Sequence, residues 1–443
     1  MADSYKVSRF NIWHKGTGRT FLYNTFTTGL MALNEAGCEK VRTALSQPEK
    51  IGALDHSEIE VLLKNGFIVS SELEELDMVK FRYRRGVFSE KNFSLILVPT
   101  TKCNFICSYC FEQNKRHEEM SPGDQEQILT FLEEELKSIR PESFMVGWYG
   151  GEPLFCPQVI ESMSGRIGRI CASLGIKRQA DWIVTNGYFL DQDMAQLLRR
   201  CNIDDVQISL DGNREYHDKS RILCDGSGTF DRLLDSIGTA QRHFAKVNVR
   251  INTNRQNLEG VRRMVTDLEI FKADNVRWTI GNLKHYLGGQ IGKDQDDGYF
   301  KGPELQGVQR EMGRYKPVRP GAASPGPREQ FFHTKMNNCG GDSFKCFFIG
   351  PGAMVYKCAE HMEPEDAAGV IENGKFVPHP RYYDWVMDEP FDSPACLKCS
   401  YLPMCMGGCP AIRKRVGVPN DETCGYWRQW LKYKFEDLDA CPE

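Results

Sequence analysis

The chain has 443 residues, enough for two or three domains with a sizeable core, and its 56 basic and 60 acidic residues leave a net charge of -4. That balance excludes a strongly basic face of the kind a nucleic-acid partner favours, and no apolar run approaches membrane-spanning length. Seventeen cysteines are too sparse for a disulfide scaffold, and the amino terminus lacks the apolar core of a signal peptide. The expected setting is reducing and cytoplasmic, with no nucleic-acid or membrane partner.

In chain order, Val7 to Trp13 and Thr20 to Tyr23 flank Lys15-Gly-Thr-Gly18 and predict a β-hairpin. Asp55 to Lys64 reads as a helix stopped near Gly66. A hairpin with short helices resembles a winged-helix module over residues 1–90, and the plainer alternative is a structural cap. The basic run Lys80 to Arg85 reads as a solvated linker.

Residues 91–283 alternate strands and helices in the manner of a parallel α/β domain. Strands are expected at Phe93 to Val98, Phe144 to Tyr149, Asp181 to Thr185, Asp205 to Leu210, Val247 to Asn252 and Val276 to Ile280. Six repeats predict a partial (β/α)6 TIM-like barrel, with function gathered at the carboxyl ends of its strands. After the first strand, Ser121 caps a helix, Pro122 suits its first turn, and Ile128, Leu129, Leu132, Leu136 and Ile139 form a core stripe.

Every suggestive motif here sits at such a strand end. After the first come Cys103, Cys107 and Cys110. Three thiolates suit a cubane of four irons and leave one iron open, whereas structural zinc wants four ligands, and no His lies near the run. After the second comes Gly150-Gly151-Glu152-Pro153, either an ordinary turn or a close backbone approach to a ligand beside a carboxylate. Asn186 closes the third strand and Asn252 the fifth, placed to reach a ligand or to tie down their own loops. The fourth is followed by Ser209-Leu210-Asp211-Gly212, then His217 and Arg221. Asp211 reads as a turn residue and His217 as a core or helix-start histidine.

Residues 284–333 are rich in Gly, Pro, Ala and Asp and predict a linker or lid, disordered around Gly321 to Pro327. Residues 334–443 hold Cys339, Cys346 and Cys358, followed by Cys396, Cys399, Cys405, Cys409 and Cys424. Eight thiolates make two sets of four, enough for two further cubanes, with a ribbon-like zinc site as the competitor. Cys38, Cys156, Cys171, Cys201 and Cys224 read as buried small hydrophobes, and Cys441 as spare.

The cysteine run, the Gly-Gly-Glu-Pro turn and the Ser-Leu-Asp-Gly stretch together resemble the radical S-adenosylmethionine (SAM) enzymes, and the later cysteines resemble their SPASM extension. The resemblance covers residues from about 91 to 430. It implies S-adenosylmethionine and three 4Fe-4S clusters as cofactors, with catalysis at the cluster of Cys103, Cys107 and Cys110. It assigns cofactor contact to Tyr109, Gly150, Gly151, Glu152, Asn186, Ser209, Arg221 and Asn252. One auxiliary cluster would fall to Cys339, Cys346, Cys358 and Cys409, the other to Cys396, Cys399, Cys405 and Cys424. Implied partners are a flavodoxin- or ferredoxin-type electron donor and a precursor peptide whose leader adds as a strand to the first domain.

The reading is of a peptide maturase forming a thioether cross-link through hydrogen-atom abstraction. A sulfatase-type formylglycine maturase and a peptide epimerase are the alternatives within radical chemistry. The sulfatase-type enzymes carry an Asp after the third auxiliary cysteine, where this chain has Ala359, with Glu360 or His361 as a substitute base. Outside enzymes the alternative is an iron-sulfur electron carrier, which would leave the glycine and serine motifs without a purpose.

Overall fold

Apolar runs bounded by turn residues become six parallel strands: Asn92–Leu97, Ser143–Trp148, Asp181–Thr185, Ile203–Ser209, Lys246–Thr253 and Val276–Asn282. Each lies within two residues of its expected span. The structure is a computed structural model describing residues 5–110, 112, 117–283, 286–287, 290–291, 298–315 and 339–440. The six strands stand side by side in sequence order within one sheet. Helices Pro122–Ile139, Pro157–Leu174, Gln192–Arg200, Phe230–His243 and Leu258–Asp267 pack their apolar faces on it. Each fully buried Leu, Ile or Val in this layer contributes about 1.5–3 kcal/mol. The capped helix forms as expected: Ser121 Oγ accepts from Asp124 N (3.1 Å) and Asp124 Oδ2 from Ser121 N (2.8 Å).

The sheet does not end with the first parallel strand. Strand Cys346–Ile349 adds to it in parallel, with Cys346 opposite Ser94, and three antiparallel strands, Met354–Tyr356, Gly369–Glu372 and Lys375–Pro378, extend it further. The carboxyl-terminal cysteine region is thus hydrogen-bonded into the same ten-stranded sheet.

At the amino end, Asn11–Lys15, Thr20–Asn24 and Leu30–Leu33 make a three-stranded antiparallel sheet that contains the expected hairpin, except that Val7 belongs to a separate strand, Tyr5–Val7, paired with Ile68–Ser70. Helix His56–Lys64 carries a capping box at Asp55 and stops before Gly66, whose φ is +76°. The run Lys80 to Arg85 is not a linker but the middle of helix Glu75–Val87. Its Val79, Tyr83 and Val87 pack with Phe10, Phe26, Phe391, Cys396, Leu402 and Met406, which is why the segment folds despite its charge. The last helix, Tyr426–Asp439, lies against the hairpin, where Phe435 stacks on His14 with ring centroids 4.8 Å apart.

Within the stretch read as a connector, Gly302–Gly313 form a helix, while Gly321 to Pro327 lie outside the described residues. No helix among the described residues is long and apolar enough to cross a membrane.

Candidate active site

The loop after the first parallel strand carries Cys103, Cys107 and Cys110, and its backbone is held on both flanks. On one side Thr101 N and Thr100 Oγ1 donate to Glu118 O at 3.0 and 2.7 Å. On the other, Ile106 N donates to Ile222 O (2.9 Å) and Ser108 N to Ser220 O (3.1 Å), while Phe105 is buried beneath. Ordering of the loop backbone is thus completed on folding.

The glycine pair after the second strand meets this loop closely. Gly151 N donates to Thr100 O (3.1 Å) and Glu152 N to Lys102 O (2.7 Å). A Cβ on Gly150, whose φ is +130°, would stand 2.5 Å from Thr100 O, and one on Gly151 would collide with the carbonyls of Thr101 and Lys102. The buried Glu152 carboxylate accepts from Thr185 Oγ1 (2.6 Å), Asn186 N (2.6 Å) and Leu154 N (3.0 Å), joining the loops of the second and third strands. Burial pushes its carboxyl up to about 6 against the pull of these donors. Asn186 is tied both ways: its Nδ2 donates to Asn104 Oδ1 (2.7 Å) and reaches Cys103 Sγ (3.8 Å), and its Oδ1 accepts from Tyr188 N (2.9 Å).

A polar network crosses the site. Tyr109 donates its hydroxyl to Asp211 Oδ2 and accepts from Arg221 Nη1 (2.7 Å) and Asn252 Nδ2 (3.3 Å). Asp211 Oδ1 also accepts from Asn252 N (3.0 Å), and Arg250 Nε donates to Asn252 Oδ1 (3.2 Å). Burial alone would lower the Arg221 guanidinium, but Tyr109, Cys107 and Asp211 hold it well above its ordinary value. Asp211, expected to be a turn residue, instead sits at the centre of this network, where burial raises its carboxyl against the pull of Arg221 and the Tyr109 hydroxyl. His217 is buried, its Nδ1 accepting from Asp211 N (3.1 Å), a core histidine.

These groups enclose a cavity of about 370 Å³ at the carboxyl ends of the strands. Its wall brings together the three cysteines with Tyr109, Gly150, Gly151, Asn186, Ser209, Arg221 and Asn252, whereas Glu152 lies behind it. Tyr149, Gln207, Arg250 and Glu360 also face it, beyond the cofactor contacts that the resemblance implies. Arg250 was detectable, since it stands two residues before Asn252 on the same strand face. Glu360, named beside His361 as a substitute base, is the one of the two on this wall.

The residues fit both groups that the resemblance implies. Thiol donors suit iron, the volume suits a cofactor-sized ligand, and the buried Nε of Arg221 has no hydrogen-bond partner, which an entering carboxylate would supply.

The later cysteines form two neighbourhoods. Burial pushes Cys339 up to about 11 and Cys358 up to about 12, with Cys409 adding to both. A Cβ on Gly340 would stand 2.7 Å from Cys346 Sγ, next to Cys339. Burial likewise pushes Cys405 up to about 12, here with Cys399, Cys396 and Cys424 as the neighbouring thiols. Among the described residues no three His, Cys, Asp or Glu side chains form a preassembled site for one metal ion. Cys156, Cys171 and Cys201 are buried as expected, Cys38 is half-buried, and Cys224 is exposed, on a segment whose backbone pairs with the cysteine loop at Asn104. Cys441 lies outside the described residues.

Comparison with known proteins places these features. The radical SAM superfamily matches residues 97–268. The mycofactocin maturase MftC of Mycolicibacterium smegmatis is 27% identical over 343 residues, covering 73% of this chain and 79% of that protein. The solved structure of native anSMEcpe with bound AdoMet and Cp18Cys peptide aligns with a TM-score of 0.61 at 18% identity, covering 78% of this chain and 98% of the other. Streptococcus suis SuiB aligns with a TM-score of 0.51 at 14% identity, over 94% of this chain and 98% of its own. With a thiol-bearing loop and a polar cavity at the carboxyl ends of its parallel strands, the chain carries a radical SAM domain over residues 97–268.

Proposed function

We propose that the chain is a maturase that closes a thioether bond in a ribosomally made precursor peptide, from a cysteine sulfur to a carbon of another residue. The observation that carries this reading is the shared cavity wall. Ala359 and Glu360, which follow Cys358, face the same space as Cys103, Cys107 and Cys110, so both cysteine regions meet at one site. Similarity to a mycofactocin maturase supports a peptide substrate.

With a 4Fe-4S cluster and S-adenosylmethionine bound, the site supplies one-electron cleavage of the sulfonium and hydrogen-atom abstraction from substrate. Arg221 takes the methionyl carboxylate. Tyr109, Gly150, Gly151, Asn186, Ser209 and Asn252 contact the rest, and Glu152 acts through the Asn186 loop that it fixes. Thioether closure removes two hydrogens from the peptide: one leaves carbon as an atom, the thiol gives its proton to Glu360, and one electron departs. The set Cys339, Cys346, Cys358 and Cys409 holds one auxiliary cluster to receive that electron, and Cys396, Cys399, Cys405 and Cys424 hold the second. A flavodoxin- or ferredoxin-type donor supplies the starting electron. The winged-helix-like first domain takes the leader peptide as an added strand on Leu30–Leu33, one of the two edges of its sheet.

Anaerobic reconstitution should load about twelve irons per chain, three cubanes of four. Reductant with S-adenosylmethionine should release 5'-deoxyadenosine, and Cys103→Ala, Cys107→Ala or Cys110→Ala should abolish that release. Incubation with the precursor peptide should remove the mass of two hydrogens. No mass change would favour epimerisation, and an aldehyde at a Ser or Cys would favour formylglycine. Glu360→Gln should slow peptide turnover about a hundredfold or more, as loss of a general base does, while 5'-deoxyadenosine still forms.

A further inference from the structure

We infer that a second, smaller cavity is a subsite for one large apolar side chain of the peptide, aromatic or branched, close to the residue that reacts. This rests on the peptide reading above. The cavity measures about 260 Å³ and lies between the end of the last parallel strand, helix Gly302–Gly313 and the carboxyl-terminal cysteine region. It is smaller than the roughly 300–1,000 Å³ of cofactor-sized sites and suits a single side chain.

Three observations point to a substrate residue as its occupant. Asn282 stands in the walls of both cavities, so the smaller one lies directly beside the space facing the cysteine loop. Its amide is already committed, donating to Phe300 O (2.6 Å) and accepting from Phe300 N (3.0 Å), which makes it a fixed post between the two spaces. Next, the wall is apolar in character: Phe300, Leu305, Ile412 and Trp427 contribute, and the Tyr426 hydroxyl is engaged with Gln309 Oε1 (3.2 Å). Among the described residues Glu422 is the one charged group on it. Last, the wall is preformed. Gly408, at φ +74°, lets the Cys409 segment lie against Thr423, where any Cβ would collide. A pocket that is shaped in advance, apolar, and adjacent to the reaction space discriminates between neighbouring residues of a substrate.

The test uses reconstituted protein and pentapeptide amides Gly-Gly-Xaa-Gly-Gly, read by saturation-transfer NMR. Peptides with Xaa = Tyr or Leu should receive saturation on the side chain, and those with Lys or Asp should not. Leu305→Trp and Ile412→Trp, which fill the cavity from different walls, should cut that transfer about tenfold or more, with iron content confirming that each variant has folded. Leu305→Ala, which enlarges it, should shift preference toward Xaa = Trp. Equal transfer to the Lys or Asp peptides, or unchanged transfer in both filled variants, overturns the subsite. If the apolar peptides bind as expected but no precursor is modified, the maturase reading fails alone. If a precursor is modified while the filled variants bind like the parent, only the subsite fails.

Discussion

Glu152 shows what a single buried carboxyl does to this protein. Its folded pKa is raised by burial to about 6 from 4.5. The folded state therefore holds the proton more tightly than the unfolded chain, and the contribution to stability is fully present below about 4.5. It is lost as pH rises through 6, and the shift is worth about 2 kcal/mol. Denaturation of the iron-free chain across that window should show this loss, and Glu152→Gln should remove the slope while lowering stability overall, because the Asn186 N–H loses its acceptor. A slope unchanged by Glu152→Gln would place the titration elsewhere. At this scale the sequence revealed chemistry better than position. The three cysteines and Arg221 stand on the cavity wall, but a glutamate after two glycines gives no sign of whether its carboxylate faces a ligand or the next loop. The role of Asp211 is hidden in the sequence for the same reason, since its partners Tyr109 and Asn252 come from a loop and a strand about one hundred and forty residues apart along the chain.

At the scale of elements, the tight seam between two loops is the critical one. Gly151→Ala would drive a methyl into the carbonyls of Thr101 and Lys102 and displace the strand-end loop that holds the first three thiols. The reconstituted variant should fall short by about four irons per chain, measured by iron analysis, with the later cysteines still loaded. A full complement would mean that the seam yields without moving the thiols. The six parallel strands were readable because long apolar runs between turn residues have few other ways to be buried. Helix Gly302–Gly313 was not, because three glycines and a proline mark its sequence as a connector. It is held instead by tertiary partners: Arg310 pairs with Glu436 and Asp437, both at 2.5 Å, on the last helix.

For the whole molecule, the two ends of the chain support each other. Thr17 Oγ1 donates to Asp439 Oδ2 (2.7 Å), Ser400 Oγ donates to Arg9 O (3.0 Å), and the apolar face of helix Glu75–Val87 covers Cys396, Leu402 and Met406. A chain beginning at residue 91 would expose that surface. It should retain the first iron site and lose about four irons from the Cys396 set, seen as a lower iron count and reduced solubility. Equal iron loading in both forms would show that the amino-terminal domain is a separable attachment. None of this docking was visible in sequence, because each surface reads alone as an ordinary apolar face.

Cys346 shares a backbone ladder with Ser94, nine residues before Cys103 on the chain. On the reading proposed above, the two thiol sets would thus be tied together by paired strands and not by a swinging linker. Electron tunnelling across that span would occur at a set length, and mutation would tune its driving force far more readily than its distance.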